Sequence, residues 1–170
     1  MPLDNGRKAA MKYYLIDQIE KLEPGKRIVA IKCLSAAEEY LADHFPAFPV
    51  MPGVLMLEAC VQAAAWLVRL KTNWSVSMVV LRRARNVRYA NFVAPGDTLK
   101  VEAELAKQDG SCYAFNCLGT VNGQTAVQAK LELEAFNLAD RDARLAGADA
   151  DIIAQMKQRF SLCGGERVMV

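Results

Sequence analysis

Histidine occurs only once in this 170-residue chain, and none of its five cysteines stands at C-x-x-C spacing to another. A zinc site needs about four grouped nitrogen or sulfur ligands, so this scarcity argues against a metal centre. The cysteines (Cys33, Cys60, Cys112, Cys117 and Cys163) are odd in number and form no disulfide framework pattern, which favours a reducing, cytoplasmic location. Charge of one sign is equally scarce. A formal net charge of +2 gives no argument for a nucleic-acid partner. The opening residues, Met1 to Lys8, lack the hydrophobic region of a signal peptide. Long apolar runs are limited to Val54–Leu70. That run holds Glu58, Gln62 and Arg69 and follows a proline-rich loop, so membrane insertion is not expected.

In bulk, the chain reads as an ordinary soluble globular protein. Apolar residues make up 53% and charged residues 24%, and the length fits one domain with a sizeable core. Met11–Leu22 carries Tyr14, Leu15, Ile19 and Leu22 at helical spacing and is expected to be a short helix. Glu23-Pro24-Gly25-Lys26 is a turn, Arg27–Leu34 alternates as a strand, and Ala36–Leu41 suits a short helical turn. Val54–Leu70 predicts a long helix that is apolar nearly all round and therefore central in the fold.

After that helix the period becomes alternating. Ser75–Tyr89, Thr98–Lys107, Ser111–Val121 and Gln124–Phe136 predict strands. Asp109-Gly110 and Asn122-Gly123 between them suit type I′ hairpin turns, which need positive φ at both central residues. The expected class is α+β: an antiparallel sheet with one buried helix to wrap around. Arg82, Arg83, Arg85 and Arg88 form either a solvated strand face or a docking patch for an anionic partner. Residues 1–136 make the main domain. Residues 137–170 are an extension, in which Asn137–Ala148 suits a linker or solvated helix and Ala150–Leu162 an amphipathic helix.

The chemistry-bearing stretch surrounds the lone histidine. His44 lies in a loop where Pro46, Pro49 and Pro52 fall within seven residues. Histidine titrates nearest neutrality and suits proton transfer, and a rigid loop can aim it. Gly53 opens the long helix, where free N–H groups and the helix dipole can hold a developing oxyanion. Glu58 and Gln62 are four residues apart on one helix face, so Gln62 can hydrogen-bond Glu58. An apolar setting suits that carboxyl to donate or share a proton. These parts serve removal of a proton alpha to a carbonyl and departure of a hydroxyl. Each also has a plain structural reading: an exposed histidine, a hydrogen-bonded core glutamate, a proline-rich turn.

His44-Phe45-Pro46-x-x-Pro49-Val50-x-Pro52-Gly53-Val54-Leu55-x-Leu57-Glu58-Ala59-x-x-Gln62 resembles the signature of the FabZ-type beta-hydroxyacyl-[acyl-carrier-protein] dehydratases. A second stretch, Ala84–Tyr89 through Val93–Asp97, resembles the family's following strand and turn, and the similarity covers about Tyr13 to Phe136. The resemblance implies a hotdog fold, with an antiparallel sheet wrapped around a long central helix, here followed by an extra C-terminal helix. It implies homodimers with active sites at the interface, in many members assembled as trimers of dimers. No metal or other cofactor is implied, and the substrate arrives on the phosphopantetheine arm of acyl carrier protein. His44 would take the alpha proton, and Glu58 of the neighbouring subunit would protonate the departing hydroxyl. Gly53 and Val54 would bind the thioester end, and Gln62 would support Glu58. Two departures stand out: Asp43 replaces the usual glycine before the histidine, and the family's N-terminal motif is not recognisable in Met11–Ile19. The alternatives are an acyl thioesterase of the same fold and a non-catalytic acyl-binding or assembly subunit.

Overall fold

The computed structural model describes residues 13–45 and 47–169. Six strands form one antiparallel sheet in the order β1-β2-β4-β5-β6-β3. They are β1 (Gln18–Glu23), β2 (Arg27–Cys33), β3 (Met78–Tyr89), β4 (Thr98–Asp109), β5 (Cys112–Val121) and β6 (Gln124–Phe136). Between β2 and β3 come a short helix α1 (Tyr40–Asp43) and the long helix α2 (Gly53–Lys71); α3 (Ala146–Leu162) follows the sheet.

The apolar surface of α2 decides the architecture. Ala59, Ala63 and Ala64 have no exposed surface, and their small side chains let α2 approach the inner face of β2 to β6 closely. Leu99, Val101, Phe115, Leu131 and Leu133 meet it from the sheet. Each such side chain contributes about 1.5–3 kcal/mol on burial. Although α2 is long and apolar enough to cross a membrane, most of it is used as the core of this sheet.

The Asn122-Gly123 hairpin has positive φ at both central residues (51° and 78°), as type I′ requires. The Asp109-Gly110 expectation needs correcting. Asp109 pairs with Cys112, so the central residues are Gly110 and Ser111, and only Gly110 has positive φ, the type II′ pattern.

The helix expected over Met11–Leu22 is not found in its described part; residues 11–12 lie outside the described residues, and Gln18–Glu23 is strand β1. The cause is a bulge. Ile19 pairs with Ala30 and Lys21 with Val29, leaving Glu20 unpaired, so Ile19 and Leu22 both point inward although three residues apart. A bulged strand thus reproduces helical spacing.

The C-terminal extension is docked. Phe160 of α3 packs against Trp66 of α2 and Trp74, with ring centroids 5.5 and 5.6 Å away. Past α3 the chain returns to β1, where Ile19 donates its N–H to Cys163 O at 2.8 Å and Leu22 bridges to Met169. The outer edge of β1 is thereby covered, while β3 forms the opposite, open edge of the sheet. Asp149 pins the connection, accepting from Ser77 Oγ and from the N–H groups of Leu138 and Ala139. Burial acts to raise its pKa, but these three bonds outweigh it and hold the carboxyl below its usual range.

Candidate active site

Pro52 is the N-cap of α2, with φ −55° and ψ 136°. Proline has no N–H, and the N–H groups of the first helical turn have no intrahelical acceptor, so the main chain at Gly53 and Val54 offers free donors. Gly53 allows a close approach: a Cβ there would lie 3.1 Å from the Tyr89 ring, which would have to shift. His44, Gly53, Met51, Met56 and Tyr89 line one cavity of about 260 Å3, with Ala90, Asn91 and Phe92 also in its wall. The histidine therefore shares a cavity with the opening turn of α2.

α1 aims His44. Its N–H donates to Tyr40 O at 3.2 Å, and its ring lies 4.5 Å from that of Phe45. The chain turns at Phe45, whose φ is 49°. Asp43, by contrast, ends α1 without positive φ, so the position before the histidine holds Asp without backbone strain. Phe45, Phe48, Val54 and Phe92 leave 58–66% of their surface exposed around this cavity. Phe48 and Phe92 meet edge to face, with centroids 5.5 Å apart.

Glu58 lies elsewhere. Five residues after Gly53, the helix has turned by about 140° and advanced about 7.5 Å. Glu58 and Gln62 line a second cavity of about 230 Å3, together with Tyr13, Tyr14, Val61 and Arg69. Gln62 Nε2 donates to Glu58 Oε1 at 3.0 Å and to Tyr13 O at 2.9 Å, and its Oε1 accepts from the Leu15 N–H at 2.9 Å. Those contacts fix the amide so that its NH2 group faces the carboxylate. The expected Glu58–Gln62 pair is present. Within one protomer, however, His44 and Gly53 share one cavity while Glu58 and Gln62 share another, and Val54 lines neither.

Sequence reasoning gave no role to Tyr89, Arg69 or Arg159. Tyr89 stands only at the end of a predicted strand and in the stretch that carries the resemblance. Arg69 carries a readable signal, since it stands eleven residues after Glu58 and so on the same helix face. Arg159 reaches the cavity through tertiary packing of α3 and has no local signal.

The chain resembles known proteins in sequence and in fold. Residues 9–130 match the family model described as FabA-like domain. The 3-hydroxyacyl-[acyl-carrier-protein] dehydratase FabZ of Clostridium acetobutylicum is 36% identical over 117 residues, covering 69% of this chain and 83% of the relative. The dehydratase of the same name from Anaeromyxobacter sp. (strain K) is 39% identical over 133 residues, 76% of this chain and 83% of the relative. Among solved structures, the dehydratase heterocomplex ApeI:P from Xenorhabdus doucetiae shares the fold, with a TM-score of 0.62 at 18% identity over 78% of this chain and 90% of that one. The fold is the hotdog fold, and the chain belongs to the FabA-like family as a FabZ-type dehydratase.

Proposed function

We propose that the protein is a hydro-lyase that converts 3-hydroxyacyl thioesters on acyl carrier protein to trans-2-enoyl thioesters, as in fatty-acid biosynthesis. The observation that supports this reading is the cavity that His44 shares with Gly53 at the start of α2. The thioester carbonyl accepts from the Gly53 N–H, which stabilises negative charge as the alpha C–H bond breaks. His44 takes that proton, and the electron pair forms the C2–C3 double bond. The C3–O bond breaks as Glu58 gives a proton to the hydroxyl, which leaves as water. No metal or other cofactor takes part.

Glu58 of one protomer serves His44 of its partner. Two features support a homodimer: the open edge of β3 and the exposed apolar rim of Phe45, Phe48, Val54 and Phe92 beside the His44 cavity. Pairing across β3 covers both and can extend to a trimer of dimers. An acidic carrier suits the basic face formed by Arg83, Arg85 and Lys130. Five free cysteines fit a reducing cytoplasm.

The test is hydration of a trans-2-enoyl thioester, followed by loss of enoyl absorbance. Activity is expected from the wild type and not from His44→Ala or Glu58→Gln. Release of free thiol without hydration would overturn the reading in favour of a thioesterase. Binding without either reaction would mark a non-catalytic subunit.

A further inference from the structure

Arg69 is 8% exposed and lies on the face of α2 that carries Glu58 and Gln62. Eleven residues turn a helix through three revolutions to within about 20°, so Glu58, Gln62, Ala65 and Arg69 form one stripe about 16 Å long. The cavity of about 230 Å3 follows this stripe, and Met156 and Arg159 of α3 complete its wall.

The Arg69 guanidinium has no carboxylate partner among the described residues. Its Nη1 and Nη2 reach only the carbonyls of Ala65 and Ser77, at the long distances of 3.5 and 3.4 Å. Its Nε is buried and makes no hydrogen bond. Trp66 covers the guanidinium at 5.7 Å. Burial pushes the group's pKa down to about 10. Arg159 is itself a cation; it donates to Ile16 O at 2.9 Å and lies over the Tyr14 ring at 4.4 Å. The buried acid Asp149 is occupied by Ser77, Leu138 and Ala139.

The C-terminal end of α2 favours cations, but Lys71, exposed in the same last turn, enjoys that without burial. A desolvated charge with only long hydrogen bonds needs a partner, and the space that Arg69 lines is the cavity. A carboxylate in the cavity neutralises the charge and accepts from an Nη, whose carbonyl contacts are long.

We infer that this cavity selects acyl chains whose far end bears a carboxylate, bound by Arg69 with Arg159 adding to the positive field. The inference rests on the dehydratase reading, in which Glu58 marks the reacting end. An acyl chain passing Glu58 then runs along the stripe and ends at Arg69.

The full-length protein is assayed on paired 3-hydroxyacyl phosphopantetheine thioesters of equal chain length, one ending in methyl and one in carboxylate. The expected kcat/KM ratio favours the carboxylate by about tenfold or more. Arg69→Met is expected to remove this preference, and Arg69→Lys to keep part of it. No preference in the wild type, or an unchanged ratio in Arg69→Met, overturns the inference while leaving the dehydratase reading intact. An Arg69→Met loss that is equal for both substrates and vanishes with unphosphorylated pantetheine thioesters also overturns it, because Arg69 then serves the phosphate of the arm.

A second measurement does not depend on turnover. Trp66 fluorescence is titrated with octanoate and with octanol. Octanoate is expected to give a saturable change that octanol does not, and Arg69→Met to abolish it. Equal responses to the two ligands, or an octanoate response retained in Arg69→Met, overturn the inference even if no thioester is turned over.

Discussion

Gln62 holds Glu58 through a 3.0 Å bond from Nε2 to Oε1, and the same amide is clamped to the main chain of Tyr13 and Leu15. The segment entering β1 therefore sets the rotamer of the carboxylate through one side chain. Gln62→Leu removes all three bonds. It is expected to lower kcat by about 10- to 100-fold, because a small misplacement of a catalytic group is costly. Stability should fall by about 1–3 kcal/mol from the buried Leu15 N–H left unpaired. Steady-state kinetics and urea denaturation of the same variant check both.

Gly53→Ala tests how closely α2 must approach Tyr89. The new Cβ would meet the ring at 3.1 Å, and Tyr89 is 46% exposed, so the ring has room to shift outward. The fold should survive, with a Tm near that of the wild type. The ring also lines the His44 cavity, so its displacement is expected to reduce kcat/KM by about tenfold. Adding Tyr89→Ala relieves the contact, and the double variant should lose less than the sum of the two single losses.

The parts of this architecture that local pattern controls could be read from the chain. Val54–Leu70 is apolar nearly all round, and such a helix belongs in the middle of a core. Asn122-Gly123 states its turn type because few residue pairs accept two positive φ angles. The Glu58–Gln62 bond follows from a four-residue step along a helix. What stayed hidden depended on partners distant in sequence. The bulge at Glu20 disguised β1 as a helix, and only its pairing with β2 reveals it. Gln62 meets Tyr13 and Leu15 across 49 and 47 residues. The docking of the extension depends on Phe160 meeting Trp66 and Trp74 and on Asp149 meeting Ser77, partners far away in sequence.

Subunit sharing can be tested by mixing. His44→Ala and Glu58→Gln homodimers are each expected to be inactive, with kcat/KM down by about 10²–10⁴. Subunits exchanged between them form heterodimers in which one of two sites has both groups intact. Random reassociation should restore about one quarter of wild-type activity. No recovery after proven exchange means that His44 and Glu58 act within one protomer.

Phe160→Ala probes what the extension contributes to the sheet. Phe160 is 2% exposed and packs against two tryptophans, so its truncation should cost about 3–5 kcal/mol. Its loss should also loosen the cover over β1. Hydrogen exchange at the Ile19 amide, which is bonded to Cys163 O, is expected to accelerate more than exchange within β5.

Asp149 makes stability depend on pH in a defined direction. Burial opposes its ionised form, yet the bonds from Ser77, Ala139 and Leu138 prevail and lower its pKa in the folded state. A carboxyl with a depressed folded pKa stabilises fully above its unfolded value, which is near 4 for aspartate. That contribution disappears as pH falls from about 4 through the folded value. Asp149→Asn keeps an acceptor oxygen but removes the charge. Its Tm should lie below that of the wild type at pH 7, and the gap should narrow as pH drops below about 4. Thermal denaturation of both proteins from neutral to acid pH measures this, and a gap that stays constant would show that Asp149 acts through packing and not through its charge.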